Sequence, residues 1–219
     1  ITGTYVEYWL NDDSLVAGYV NYKSEKDTAA YDNLVHYGIG LDYFIGESLE
    51  VYGEVAGQSI SDGAGVNDGS AFQLTLGGEY AFTDYDMNPV LGLEYYLQSG
   101  ADASDPAWQK VIGGLAAADT NAIYMEANGK VGRDLNAGIG PVSIGQPGTT
   151  FGGYSVIRLN GAVSPTKATK VGLGLHFFTD EASALNDGDD EIGTELDLYA
   201  SWKYSQDVTF KAGLYVVSD

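Results

Sequence analysis

The chain has 219 residues, with 31 Asp plus Glu against 10 Lys plus Arg, a formal net charge of -21 and no cysteine. A chain this acidic lacks the clustered cations that hold nucleic acid; divalent cations, cationic solutes or basic proteins suit it better. No apolar run approaches the roughly 18 residues of a membrane-spanning helix, and the absence of cysteine agrees with an oxidising or cell-surface location.

In chain order, strands are predicted over 2–10, 14–23, 33–45, 48–58, 71–83, 88–99, 153–164, 169–179, 192–204 and 207–217. Each carries a period of two, the mark of a strand with unlike faces. The pattern is clearest over 33–44, where Val35, Tyr37, Ile39, Leu41 and Tyr43 point one way and His36, Gly38, Gly40 and Asp42 the other. Other outward sets are Val16, Val20 and Tyr22; Leu49, Val51 and Val55; Phe72, Leu74, Leu76, Tyr80 and Phe82; and Leu91, Leu93, Tyr95 and Leu97. Later strands give Ile157, Leu159 and Val163; Val171, Leu173, Leu175 and Phe177; Leu196, Leu198, Trp202 and Tyr204; and Val208, Phe210, Leu214 and Val216. The opposite faces are too polar and glycine-rich for a dry core, and most segments come near the roughly 9–11 residues that cross a bilayer when tilted. The expected fold class is therefore all-β, an antiparallel transmembrane β-barrel with a wet interior, in one domain over 1–219. Aromatic residues near the ends of the outward sets (Tyr22, Phe82, Phe177, Trp202, Tyr204) fit girdles at headgroup level.

The connections alternate in length. Short turns are expected at 11–13, 46–47, 84–87, 165–168 and 205–206, and long loops at 24–32, 59–70, 100–152 and 180–191. Outer-membrane barrels alternate in this way, with short periplasmic turns and longer extracellular loops. The alternation holds if 100–152 is one long extracellular loop, with 122–132 inside it rather than forming a further strand. A first strand leading into a short turn would start outside the cell, so strands before residue 1 and after residue 219 are expected and ten strands is a lower bound.

The stretches 154–178 (YSVIRLNGAVSPTKATKVGLGLHFF) and 193–217 (GTELDLYASWKYSQDVTFKAGLYVV) resemble the C-terminal part of the alginate-export family of outer-membrane β-barrels. The shared features are a strand, a Pro-Thr turn, a strand, a loop and a GTELDLYAS-type strand. The resemblance implies a large barrel of about eighteen strands in the outer membrane of a Gram-negative bacterium, acting as a passive porin or exporter of solutes or polysaccharide. Lipid and lipopolysaccharide would be its surroundings. No basic alginate-binding motif can be matched residue by residue, so no binding site is carried over.

The candidate pore-lining residues are Glu7, Asp42, Glu50, Glu54, Glu79, Glu94, Arg158, Glu195, Asp197, Lys203 and Lys211, with Lys23 and Lys170 as further inward cations. Carboxylates along a wet path attract cations and repel anions, whereas carboxylates paired across strands with Lys and Arg only stiffen the wall. The acidic run Asp187, Asp189, Asp190 and Glu191 offers oxygen ligands for a weakly bound Ca²⁺, but it lacks full EF-hand spacing and a solvated acidic loop is the favoured reading; 61–70 is similar and weaker. His36 and His176 fall on inward faces five strands apart, too far for a metal pair. Two His, no Cys and no nucleophile elbow leave no catalytic residue to name, so an enzyme is not expected. The glycine-rich stretch 138–148 does not follow a strand and open a helix, which excludes a nucleotide loop. Two alternatives compete with a cation-favouring channel. One is a barrel that holds a protein partner in its lumen or at the periplasm. The other is a secreted β-sandwich or Ca²⁺-dependent adhesin, which needs the apolar faces to meet in a dry core.

Overall fold

The computed structural model describes residues 2–24, 33–61, 69–99, 153–180 and 191–218. They form ten strands: β1 (Thr2–Trp9), β2 (Leu15–Ser24), β3 (Asn33–Ile45), β4 (Leu49–Ser61), β5 (Gly69–Ala81), β6 (Val90–Ser99), β7 (Gly153–Thr166), β8 (Thr169–Asp180), β9 (Glu191–Lys203) and β10 (Thr209–Ser218). All ten belong to one sheet in sequence order, each antiparallel to the next. No helix of the described residues is long and apolar enough to cross a membrane.

Every expected strand is present, and the ends differ by at most three residues. The largest differences have local causes. β4 and β5 pair further than their apolar alternation runs, through Ser59↔Ser70 and Ile60↔Gly69, because backbone pairing does not require apolar side chains. β7 continues through Pro165 to Thr166, into the first half of the expected turn. Its register shifts between Val163 and Thr166, so the proline, which has no N–H to donate, falls in a bulge. The neighbouring Ser164 N–H is satisfied outside that pair by the Met87 carbonyl at 2.6 Å. A second irregularity lies between Phe178 and Thr179, opposite Gly193, whose φ of 145° is one that L side chains rarely adopt.

Because successive strands are antiparallel, the five short connections lie along one end of the sheet. Gly46 takes φ 66° in the β3–β4 turn, a conformation cheap only for glycine. The β1–β2 turn is closed by Leu10 N–H to Ser14 O at 2.8 Å. Buried Ser14 accepts the Phe44 N–H on its hydroxyl at 3.0 Å, tying this turn to β3. Aromatic clusters sit at this end too. Tyr80, Phe82 and Tyr85 make edge contacts at 4.7 and 5.9 Å, and Trp202 packs on Tyr204 and Phe210 at 5.4 and 5.8 Å.

The two faces of the sheet are unlike. The expected outward sets do share one face, and much of it is exposed: Leu93, Leu173, Leu198 and Leu214 are 55, 47, 48 and 61% accessible. The other face is concave and curls around a space of about 680 Å³ lined from Tyr5 of β1 to Tyr199 of β9. Among the described residues the buried apolar side chains are only Ala56, Tyr96, Val156 and Phe178, whereas Arg158, His176, Glu195 and Asp197 are at most 1% accessible. A water-soluble protein has the opposite distribution, with apolar side chains inside and charges outside. β1 and β10 are the outer strands and do not pair with each other among the described residues.

Tyrosines fill the space over glycines on this curved wall. Tyr19 faces Gly38, Tyr52 faces Gly77 and Tyr199 faces Gly172, each directly across the ladder. A Cβ on Gly38 would fall 2.5 Å from the Tyr19 hydroxyl. At Gly172 the Cβ would meet the Tyr199 ring and also the Gly161 carbonyl oxygen at 2.8 Å, which cannot swing away. Gly172→Ala is therefore expected to destabilise the sheet by about 1–3 kcal/mol. Gly92→Ala, whose Cβ meets nothing nearer than 3.7 Å, should be tolerated. Urea unfolding midpoints of the two variants check the difference.

Candidate functional site

The concave face carries a continuous polar row. Cross-strand partners follow one another as Asp42, Tyr52, Gly77, Glu94, Arg158, His176 and Glu195, one from each of β3 to β9. Partners directly opposite project from the same face, so period-two alternation places all of them inward. Gly77 has no side chain, and the Tyr52 ring crosses it to reach β6, where its hydroxyl donates to Glu94 Oε2 at 2.8 Å. The other Glu94 oxygen, Oε1, accepts from Arg158 Nη1 in a salt bridge. The guanidinium also lies over the Tyr96 ring, 5.5 Å from its centroid, where the negative π face favours a cation.

Next along the row, His176 Nε2 lies 3.4 Å from Asp197 Oδ2, and its ring stacks on Phe178. The ring also reaches over Gly174, where a Cβ would fall 2.6 Å from Nε2. A parallel link lies nearer β2, where the Tyr19 hydroxyl donates to Glu54 Oε1 at 2.9 Å and its ring contacts His36 at 5.3 Å. Phenols thus bridge β2 to β4 and β4 to β6, skipping one strand each time. Buried charges are costly unless paired, and the wall sets the buried Arg158 against Glu94.

Below this row, towards the turns, the acids stand closer together. Glu50 lies directly opposite Glu79 and within hydrogen-bonding reach of Asp42. All three line the concave space, as do Glu54, Glu94, Arg158 and Lys170.

Most of the candidate lining residues are brought together in this way. Asp42, Glu50, Glu54, Glu79, Glu94 and Arg158 lie around the concave space, and Glu195 and Asp197 are buried beside it. Glu7, Lys203 and Lys211 have inward register but sit exposed on or near the outer strands, and Glu7 accepts a hydrogen bond from Tyr5 at 2.6 Å. His36 and His176 share the face, on β3 and β8. Asp187, Asp189, Asp190, the loop 100–152 with its segment 122–132, and the stretch 138–148 lie outside the described residues, as does the side chain of Glu191. No group of three or more metal-ligating side chains occurs among the described residues. Tyr19, Tyr52, Tyr96 and Tyr199 were not expected here. Their parity assigns them to the polar face, but their bridging depends on the glycine across the ladder, which appears only once the register is known.

No family model matches the chain, and no curated protein matches it.

Proposed function

We propose that the chain forms the wall of an outer-membrane β-barrel through which solutes pass passively, with the concave face lining a water-filled path and the convex face in contact with lipid. The single observation that carries this reading is the inverted polarity of the sheet. Leucines and aromatics stand exposed on the convex face, while Arg158, His176, Glu195 and Asp197 are buried on the concave one. Exposed apolar surface this extensive marks contact with lipid or with another protein. The aromatic clusters at the turn end support lipid, since rings sit at headgroup level there. The resemblance of 154–178 and 193–217 to alginate-export barrels points the same way.

The concave face carries more acid than base. Its described side chains include eight carboxylates (Glu7, Asp42, Glu50, Glu54, Glu79, Glu94, Glu195, Asp197) and four cations (Arg158, Lys170, Lys203, Lys211). Arg158 is engaged with Glu94. Fixed negative charge beside a water path favours cations, so a polyanion such as alginate is a poor cargo for this wall. No chemical step is part of this reading.

The test is reconstitution of the native protein into planar bilayers, with current recorded under a salt gradient. Discrete conductance steps with a reversal potential displaced towards the cation are expected. Anion selectivity would contradict the acidic lining. Absence of conductance in protein that has inserted would contradict the channel and favour a barrel plugged by a partner.

A further inference from the structure

The charges at the turn end of the concave face are sorted by strand. Asp42 of β3, Glu50 of β4 and Glu79 of β5 each lie within three residues of the end of their strand that meets a short turn. At the same end, Lys170 of β8, Lys203 of β9 and Lys211 of β10 lie within two residues of theirs. All six project inward by register. Between the two arcs, β6 and β7 present Val90, Gly92, Asn160 and Ala162, none of them charged. With Glu7 of β1, two residues from its own turn end, the inward strand positions at this mouth therefore carry four negative charges on one side, an uncharged stretch, and three positive charges on the other. Because the sheet curls, the basic arc reaches the acids' space through Lys170, with Lys203 and Lys211 following, exposed, on β9 and β10. Lys170 lines that space together with Asp42, Glu50 and Glu79, and Glu79 is within electrostatic reach of Tyr199 on β9.

From this arrangement, resting on the channel reading above, we propose that the turn-end mouth selects small zwitterions, solutes bearing an ammonium and a carboxylate group. Two opposed arcs produce a field across the path rather than along it. A neutral solute gains nothing from such a field, and a simple ion is drawn to one arc and repelled by the other. A zwitterion can turn its ammonium to the acids and its carboxylate to the lysines, so both ends gain at once. At separations of about 6 Å in water-like surroundings, each matched charge is worth about threefold in local concentration. Added salt weakens the effect, because these are solvent-exposed charges.

The test uses proteoliposomes of the native protein. Osmotic swelling is followed with 4-aminobutyrate, a zwitterion at pH 7, and with neutral 4-hydroxybutyramide of similar size. The wild type should admit the zwitterion at least about threefold faster at low salt, with the advantage shrinking at high salt. Reversing one arc with Lys170→Glu, Lys203→Glu and Lys211→Glu together should abolish the advantage, leave the channel conducting and raise its cation preference. Glu79→Lys, on the opposite arc, should also reduce the advantage while moving ion selectivity towards anions. Equal rates for both solutes through a conducting wild type would overturn the proposal while leaving the channel intact. An advantage that survives both sets of substitutions would overturn it too. A wild type that conducts nothing would overturn the channel reading and this inference with it.

Discussion

Arg158→Leu should cost about 3–5 kcal/mol of stability, the largest effect of a single change on the concave face. The reason lies in what the guanidinium leaves behind. Glu94 loses its salt bridge, and the Tyr96 ring loses the cation above it. Glu195 and Asp197, both buried, then sit in a wall that has lost the buried arginine of the described residues. A carboxylate held on this wall keeps its desolvation penalty when the cation is removed and loses the attraction that offset it. Removing both partners tests this account against simple loss of packing. The double variant Arg158→Leu with Glu94→Leu should recover part of the loss, because no charge at the pair is then left uncompensated. If the double variant is less stable than the single one by the full cost of Glu94→Leu alone, the two residues are not coupled and the row is not acting as a unit. Denaturant unfolding of the four proteins of the cycle in detergent micelles gives the comparison.

The second large effect belongs to the opposite face. Leu198 lies at the middle of β9, opposite Leu173 on β8, with both side chains exposed. If lipid covers them, Leu198→Arg places a charge near the bilayer midplane and should cost about 2–4 kcal/mol. If water covers them, the same change is an ordinary surface substitution worth about 0.5 kcal/mol or less. The same arginine at Phe210, among the aromatic rings of the turn end, should cost only about 0–1 kcal/mol in charge placement, since depth decides the penalty. Unfolding measured in lipid vesicles separates these outcomes, and a flat profile from Leu198 to Phe210 would contradict contact with a bilayer.

Much of the sheet was legible because one physical rule governs nearly all of it. Leu91, Leu93, Tyr95 and Leu97 alternate with Gly92, Glu94 and Tyr96, and that alternation specifies both the strand and its faces. The ends were less legible. The pairing of Ser59 with Ser70 depends on the backbone alone, and Pro165 reads as a turn until a bulge accommodates it. The concave face was legible in its acids and only partly in its wiring. Glu94 and Arg158 each read as lining residues, but their direct opposition follows from register, which no single strand encodes. The tyrosines show the same limit. A heavy tyrosine content suggests interface girdles, yet Tyr19 and Tyr52 spend their rings over Gly38 and Gly77 and their hydroxyls on Glu54 and Glu94. The sorting of Asp42, Glu50 and Glu79 from Lys170, Lys203 and Lys211 likewise emerges only when the strands are laid side by side.

The central claim is that one face of the sheet meets lipid and the other meets water. The chain has no cysteine, so single cysteines can be placed without background. Adjacent pairs serve best: Thr75→Cys with Leu76→Cys on β5, and Gly92→Cys with Leu93→Cys on β6. Thr75 and Gly92 line the concave space, and Leu76 and Leu93 stand exposed on the convex face at 52 and 55%. In vesicles, cysteines at 75 and 92 should react with a charged, water-soluble thiol reagent. Fluorophores attached at 76 and 93 should instead be quenched by brominated lipid. Neighbours one residue apart would then report opposite solvents. Reaction of all four cysteines with the water-soluble reagent, and no quenching by lipid at 76 or 93, would contradict the account.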